Sequence, residues 1–156
     1  MSDYRVEPLA AHDRRAFTCG ADALDRYFRE QVTQDVRRRV AACFVAVDVE
    51  AAIAGFYTLS ASAIALDALP PERARRLPRY PVIPAVLLGR LAVSIAHQGR
   101  QLGAALVADA LMRSTRPDIV GHVLVVDAKD DAAARFYAHL EFTPLPGTPS
   151  RLIRAL

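Results

Sequence analysis

The chain has 156 residues, 53% of them hydrophobic, and a formal net charge of +3 at pH 7. This composition excludes intrinsic disorder and predicts a single domain over residues 1–156, large enough to fold without disulfides or a structural metal. The N-terminus lacks the apolar segment of a secretory signal peptide, and the longest apolar stretch, 51–66, is too short to span a bilayer. We therefore expect a soluble cytoplasmic protein.

The side-chain inventory is biased towards arginine. Lys129 is the only lysine, and arginines cluster at 14–15, 37–39 and 73–79. Two interpretations stay open: an ordinary solvated surface, or a face that binds a phosphate backbone. The two cysteines, Cys19 and Cys43, lie in no catalytic motif and are interpreted as small buried side chains.

The first half of the chain predicts an edge strand, a helix and two strands. Tyr4–Pro8 alternates weakly, and a helix follows Phe17–Gly20 and ends near Arg39. The helix has one buried face, because apolar residues recur there at four-residue steps: Leu24, Phe28, Val32 and Val36. Ala41–Asp48 and Ala51–Leu66 are predicted strands, joined by a tight turn near Glu50.

Residues 67–84 form the one irregular region. Five prolines argue against a continuous helix or a central strand, and they bracket a short basic helical piece, Glu72–Arg76. The region is either a plain surface excursion or a loop that shapes a substrate entrance. Its four arginines favour the entrance.

The second half alternates strands and helices. Ala85–Ile95 and Ile119–Ala128 are predicted buried strands, with a bulge or close backbone approach at Gly89. The predicted helices are Gln101–Ser114 and Asp130–Leu140, the second with Asp130 or Asp131 as its N-cap, and Phe142 and Arg151–Leu156 complete the sheet. This alternation predicts a mixed α/β fold in three layers.

The segment from Leu88 to Leu106 carries the most specific pattern. A strand runs into the turn Gln98-Gly99-Arg100-Gln101-Leu102-Gly103, and an amphipathic helix follows at once. Such a layout presents free backbone N–H groups at a helix N-terminus, where an anion binds. A tyrosine, Tyr137, follows one strand later, near the end of the next helix.

Together these features resemble the acetyl-CoA site of the GNAT N-acetyltransferases, whose pyrophosphate loop reads Gln/Arg-x-x-Gly-x-Gly/Ala. Gln98 and Gly103 match this pattern, whereas Gln101 stands where the family usually has glycine. If the backbone is left-handed there, Gln101 costs about 1–2 kcal/mol. If only its N–H is needed, little is lost, and Gly99 supplies extra backbone freedom.

The resemblance implies a GNAT-like fold, with a central, mostly antiparallel, splayed sheet flanked by helices, and a set of site roles. Backbone groups of Leu91, Ala92 and Val93 bind the pantetheine arm and polarise the thioester, while Tyr137 is the general acid to the departing thiolate. Asp130, Ala133 and Tyr137 fit Asn-x-x-Ala-x-x-x-Tyr, with aspartate for asparagine, and Glu141-Phe142 replaces Gly-Phe. The implied pyrophosphate loop comprises Gln98, Gly99, Arg100, Gln101, Leu102, Gly103 and Ala104.

A wider set of motifs from Phe17 to the C-terminus is similar to one subgroup, the TacT-like GNAT toxins of type II toxin–antitoxin modules. The motifs are Phe17-x-Cys19-Gly20, Leu24-Asp25, Gly55–Ser60, Leu77–Pro81, Leu88–Val93 and Val126–Ala128. The resemblance implies acetyl-CoA as acetyl donor, the α-amine of aminoacyl-tRNA as acceptor, a ribbon-helix-helix antitoxin as partner and a homodimer.

The titratable residues of the chain are consistent with an α-amine as acceptor. An α-amine with a pKa near 7.7 is roughly one-sixth neutral at pH 7, so a dedicated base is dispensable. His12, His122 and His139 lack metal-ligand spacing, and His97, which borders the loop, is expected at the surface. The tRNA phosphates would be held by Arg75, Arg76, Arg79 and Arg90, although Arg90 is alternatively paired inside the sheet.

Two other functions stay open. The chain is alternatively a GNAT enzyme that acetylates a small amine or a protein N-terminus. The departures at Gln101 and Asp130 also allow a non-catalytic domain that binds acyl-CoA or RNA.

Overall fold

The computed structural model describes residues 3–156. The strands are β1 (Arg5–Pro8), β2 (Ala42–Val47), β3 (Ile53–Ala65), β4 (Val82–Val93), β5 (Val123–Asp127), β6 (Thr143–Leu145) and β7 (Thr148–Ala155). The helices are α1 (Asp22–Arg26), α2 (Val32–Arg37), α3 (Pro71–Ala74), α4 (Leu102–Ser114) and α5 (Asp131–His139). Short 3₁₀ turns occupy Leu66–Ala68 and Ile95–His97.

The strands form one seven-stranded sheet in the order β1-β2-β3-β4-β5-β7-β6. The pairs β1–β2, β2–β3, β5–β7 and β6–β7 are antiparallel. The mixed α/β fold with a seven-stranded sheet and flanking helices is therefore confirmed, while the splay of the central strands stays a prediction. Over residues 3–156, no helix has the length and apolar character needed to cross a bilayer.

The first of two compact units contains the chain up to Ser60 together with Leu88–Ala110. Its core is built on three phenylalanines: Phe28 stacks on Phe56 with ring centroids 4.2 Å apart, and Phe17 meets both edge-on. Val32, Cys43 and Val45 also belong to this cluster. Burial raises the pKa of the Cys43 thiol to about 12, so the thiol stays protonated and the structural interpretation of Cys43 holds.

The second unit contains Ala61–Leu87 and Leu111–Leu156. Its core is aliphatic and draws on strands and on the segment after β3, with Ile64, Leu69, Val125 and Ile153 buried together. Because side chains alternate along a strand, Val123 and Val125 lie on one face of β5 and belong to this cluster.

The helix predicted from Gly20 to Arg39 contains an unpredicted π turn. Tyr27–Gln31 is π-helical between α1 and α2, and the Val32 N–H bonds the Tyr27 carbonyl, five residues back. Strict four-residue steps drift by about 40° per step around an α-helix of 3.6 residues per turn. A wider turn offsets that drift, so Phe28 and Val32 remain on the buried face.

Two sequence-based boundaries are wrong. β4 begins at Val82 rather than at Ala85 and includes Pro84, so one of the five prolines lies within a strand. Pro84 is tolerated because its side chain is exposed and its carbonyl accepts the His122 N–H at 2.9 Å. β5 covers only Val123–Asp127, since Ile119 and Val120 are exposed before it.

Close approaches explain two glycines. A Cβ on Gly89 would lie 3.1 Å from Thr58 Oγ1, which confirms the predicted close approach in β4. A Cβ on Gly55 in β3 would lie 2.9 Å from the Ala92 carbonyl oxygen and 3.1 Å from Leu106 Cδ1. Gly55 therefore sets how closely α4 and β4 pack on β3.

Replacing Gly55 by alanine tests this packing. We expect Gly55→Ala to lower the free energy of unfolding by about 1–3 kcal/mol, because the backbone oxygen of Ala92 has no room to move. Gly147→Ala is the matched control, since nothing lies within 4 Å of that Cβ, and its effect should stay within about 0.5 kcal/mol. Urea denaturation measures both, and equal effects would contradict the packing argument.

Candidate functional site

The turn before α4 passes through the left-handed region twice. Gly99 has φ of +80° and Gln101 has φ of +62°. The Gln101 carbonyl then accepts the Ala105 N–H at 3.2 Å, the first bond of the helix. Of the two alternatives for Gln101, the structure therefore shows the strained one, and Gly99 supplies the predicted freedom as well.

The N-terminus of α4 is suited to an anion. The amides of Leu102, Gly103 and Ala104 lie in the first turn, where an α-helix provides no acceptors for them. Gly103 and Ala104 are half-buried and carry small side chains, whereas Gln98–Gln101 are exposed. The helix is thirteen residues long, and its N-terminus is the positive end of the helix dipole.

The side chain of Gln98 connects the loop to the end of β4 and to the segment before α1. Its Nε2 donates to the carbonyls of Cys19 and Val93, both at 3.0 Å. The Ile95 N–H donates to the Thr18 carbonyl at 2.9 Å. The Gln98 amide group thus positions the loop.

His97 is held at both ring nitrogens, and its predicted surface placement is wrong. The Tyr4 hydroxyl lies 2.7 Å from Nδ1, and Asp48 Oδ2 lies 3.5 Å from Nε2. The His97 side chain is only 15% exposed. Sequence reasoning missed this contact because Tyr4 and Asp48 are distant along the chain.

Arg90 lies on an aromatic surface. Its guanidinium carbon sits 3.7 Å from the centroid of the Tyr27 ring, and the Tyr27 hydroxyl donates to Asp35 at 2.8 Å. The residue is nevertheless exposed. Arg90 is therefore stacked on Tyr27 rather than paired with a carboxylate inside the sheet, and a stacked guanidinium keeps its N–H edges available for a phosphate.

In the second unit, Tyr137 lies in the last turns of α5 and is 9% exposed. Its ring meets Phe136 and Phe142 edge-on, with centroids 5.0 and 5.4 Å away. Burial raises the pKa of Tyr137 to about 12. The hydroxyl therefore keeps its proton well above neutral pH.

Both ends of α5 are fixed by local hydrogen bonds. Asp130 is the N-cap and accepts the Ala133 N–H at 2.8 Å, which confirms one of the two predicted caps. At the other end Glu141 has φ of +70°, and the N–H of Phe142 bonds the Tyr137 carbonyl at 3.1 Å. This is a Schellman ending, and it packs Phe142 against the Tyr137 ring.

The arginines predicted to bind tRNA lie around α3. Arg75, Arg76 and Arg79 are exposed. A cavity of about 300 Å³ beside them is lined by Pro70, Glu72, Arg73, Arg76, His122 and Thr143. Burial and the nearby Arg73 lower the pKa of His122, so the positive charge of this cavity comes from arginine.

A larger cavity of about 670 Å³ lies in the first unit, beside α1. Its walls carry as many arginines as carboxylates, and several of these are bonded within the protein: Arg15 to Asp13, and Arg14 to the Phe28 carbonyl. The charges largely compensate each other, so this cavity favours neither an anion nor a cation.

Known proteins resemble the chain over nearly its full length. It is 36% identical over 145 residues to a tRNA-acetylating toxin of Mycobacterium tuberculosis, covering 92% of this chain and 86% of that protein. A structure of AtaT complexed with acetyl-methionyl-tRNAfMet superposes with a TM-score of 0.88 at 31% identity, covering 98% and 95% of the two chains. No protein-family model matches.

The chain belongs to the GNAT toxins of toxin–antitoxin modules. A mutant AtaT solved with acetyl-CoA and the C-terminus of the antitoxin AtaR has a TM-score of 0.79 at 29% identity, covering 99% of this chain and 94% of that one. The family resemblance drawn from the sequence is thereby confirmed.

This GNAT toxin departs from the usual loop at one residue whose cost is measurable. We expect Gln101→Gly to raise the free energy of unfolding by about 1 kcal/mol relative to Gln101→Ala, because only glycine accepts φ of +62° without strain. Urea denaturation of the two variants checks this. An alanine variant as stable as the glycine variant would show that the left-handed conformation carries no strain.

Proposed function

We propose that the chain is an acetyl-CoA-dependent N-acetyltransferase that acetylates the α-amine of aminoacyl-tRNA and so acts as a translation-blocking toxin. The observation that carries this proposal is the N-terminus of α4, whose first-turn amides follow a left-handed loop and suit a pyrophosphate. The similarity to a tRNA-acetylating toxin and to AtaT with acetyl-methionyl-tRNA supports the acceptor.

The loop and the end of β4 receive the donor in this proposal. The backbone of residues 98–104 binds the pyrophosphate, and backbone groups of Leu91, Ala92 and Val93 bind the pantetheine arm and the thioester carbonyl. Leu91 and Val93 are half-buried and Ala92 is buried, so their side chains pack while their backbone serves the ligand. A polarised carbonyl stabilises the negative charge that develops on its oxygen.

The transfer then needs one bond made and one broken. The neutral α-amine attacks the thioester carbon, a C–N bond forms, the C–S bond breaks, and the amine releases its extra proton to solvent. No base is required, because an α-amine with a pKa near 7.7 is substantially neutral at pH 7. Tyr137 donates its proton to the coenzyme A thiolate and is reprotonated from water.

The acceptor and the protein partner follow from the same family membership. Arg75, Arg76, Arg79 and the stacked Arg90 are proposed to hold the tRNA phosphates. A ribbon-helix-helix antitoxin is proposed to neutralise the toxin, in line with AtaT bound to the C-terminus of AtaR.

The homodimer, the cytoplasmic location and the single-domain assignment stay predictions. Asp130, the N-cap of α5, and Ala133 are proposed to border the donor.

The role of Tyr137 as acid is tested by Tyr137→Phe. We expect kcat to fall about 10²–10⁴-fold while the Kd for coenzyme A stays unchanged, because the phenylalanine keeps the packing but cannot donate a proton. Since the pKa of Tyr137 is about 12, the wild-type rate should show no loss from its ionisation up to pH 10. Tyr80→Phe, at an exposed tyrosine, is the control. Full activity of Tyr137→Phe would refute the assignment.

The acceptor is tested by removing positive charge around α3. In the triple variant of Arg75, Arg76 and Arg79 to glutamine, we expect a weaker binding of aminoacyl-tRNA and a log–log salt slope reduced by about two to three. Acetylation of a small amine by the same variant should be unchanged, because such an acceptor has no phosphates.

The control triple variant removes three charges that are already paired with carboxylates: Arg5, Arg15 and Arg116, each to glutamine. It should leave the salt slope for aminoacyl-tRNA within one unit of the wild type. If both triple variants reduce the slope equally, net charge rather than the α3 arginines holds the tRNA.

A further inference from the structure

We propose that Asp25 is a positioning residue for acetyl-CoA, because it fixes the two-residue segment Thr18–Cys19 to which the start of the 98–104 loop is bonded. The inference rests on the proposed function, in which that loop binds the pyrophosphate. It gives a role to a buried carboxylate that the transfer chemistry does not use.

Asp25 makes contacts away from its own helix. It lies in α1, is 5% exposed, and accepts hydrogen bonds from the Cys19 N–H at 2.8 Å and the Thr18 hydroxyl at 3.0 Å. Burial alone would raise the pKa of Asp25, but these hydrogen bonds and Arg29 outweigh it and lower the pKa below the ordinary value. The carboxylate is therefore charged at neutral pH, where it accepts most strongly.

The other side of the same segment faces the loop. The Thr18 carbonyl accepts the Ile95 N–H at 2.9 Å, and the Cys19 carbonyl accepts Gln98 Nε2 at 3.0 Å. In Thr18–Cys19 the Thr18 hydroxyl and the Cys19 N–H donate to Asp25. The two carbonyls accept from Ile95 and Gln98, which lie between β4 and α4. The peptide between Thr18 and Cys19 is held from both sides, by Asp25 at its N–H and by Ile95 at its carbonyl.

This arrangement explains how a helix distant from the ligand affects binding. Amides bind an anion well only when they are held within about 0.5 Å of the required geometry, and the supporting contacts decide whether they are. The loop before α4 is exposed from Gln98 to Gln101. Its attachment through Gln98 and Ile95 to Thr18–Cys19 therefore matters more than its own packing.

The test compares two aspartates on one helix. Asp25→Asn leaves one carbonyl oxygen where two carboxylate oxygens accepted, and we expect the Kd for coenzyme A and the KM for acetyl-CoA to rise about tenfold. The kcat and the KM for the acceptor should stay within about twofold. Asp22→Asn, an exposed aspartate in α1, should change none of these values. Calorimetry with coenzyme A gives the Kd without any turnover.

A double-mutant cycle separates positioning from plain stabilisation of the fold. Gln98→Ala alone should also raise the Kd, and Asp25→Asn combined with Gln98→Ala should bind no more weakly than the weaker single variant, because both act through one attachment. Fully additive losses would overturn the inference. If Asp25→Asn does not fold, Thr18→Val removes one donor to the same carboxylate and should raise the Kd about threefold. An unchanged Kd in both Thr18→Val and Gln98→Ala would overturn the inference.

A loop variant keeps this inference distinct from the proposed function. Gly103→Asp places a negative charge at the N-terminus of α4 and should abolish coenzyme A binding if the pyrophosphate lies there. If Gly103→Asp binds coenzyme A normally, the proposed loop site fails, and the inference fails with it. If Gly103→Asp loses binding while Asp25→Asn binds like the wild type, only the positioning role of Asp25 is overturned.

Discussion

An α-helix binds an anion at its N-terminus when its first amides have no other acceptor. The chain before the helix must also turn away from the helix axis, so that it does not cover these amides. In α4 this entry is made by two left-handed residues, Gly99 and Gln101, so the backbone turns sharply before Leu102. The amides are then fixed in space by the contacts of Gln98 and Ile95 with Thr18 and Cys19. The segment Thr18–Cys19 therefore holds the start of an exposed loop in place.

In the second unit, the important feature is the C-terminal end of α5. In the proposed transfer Tyr137 donates a proton, and the Schellman ending holds its ring in place. It packs Phe142 against the Tyr137 ring, and burial raises the pKa of the hydroxyl to about 12. The family's Gly-Phe position thus matters to the phenol, although neither residue reacts. The Glu141 departure preserves this turn, because Phe142 still bonds the Tyr137 carbonyl.

Local sequence patterns predicted most of the helices and strands and the loop before α4. They did not predict contacts between residues that are far apart along the chain. Short stretches of sequence predicted three features: the apolar spacing of α4, the alanine-rich start of α5 and the Asp130 cap. Asp25 lies three residues before Phe28 on the buried face, so its burial was readable, but its partners were not. Tyr4 and Asp48 meet His97 only through the fold. The π turn at Tyr27–Gln31 reflects a competition between packing and hydrogen bonding that spacing alone does not decide.

Strain at Gln101 and Glu141 raises the question of why these turns hold without glycine. Each left-handed residue costs about 1–2 kcal/mol. Each is also followed directly by a buried hydrophobe, Leu102 at 3% exposed and Phe142 at 2%. Burying such a side chain contributes about 1.5–3 kcal/mol, and relaxing the turn would pull it out of the core. Core packing next to each turn therefore offsets the strain of a left-handed residue that is not glycine.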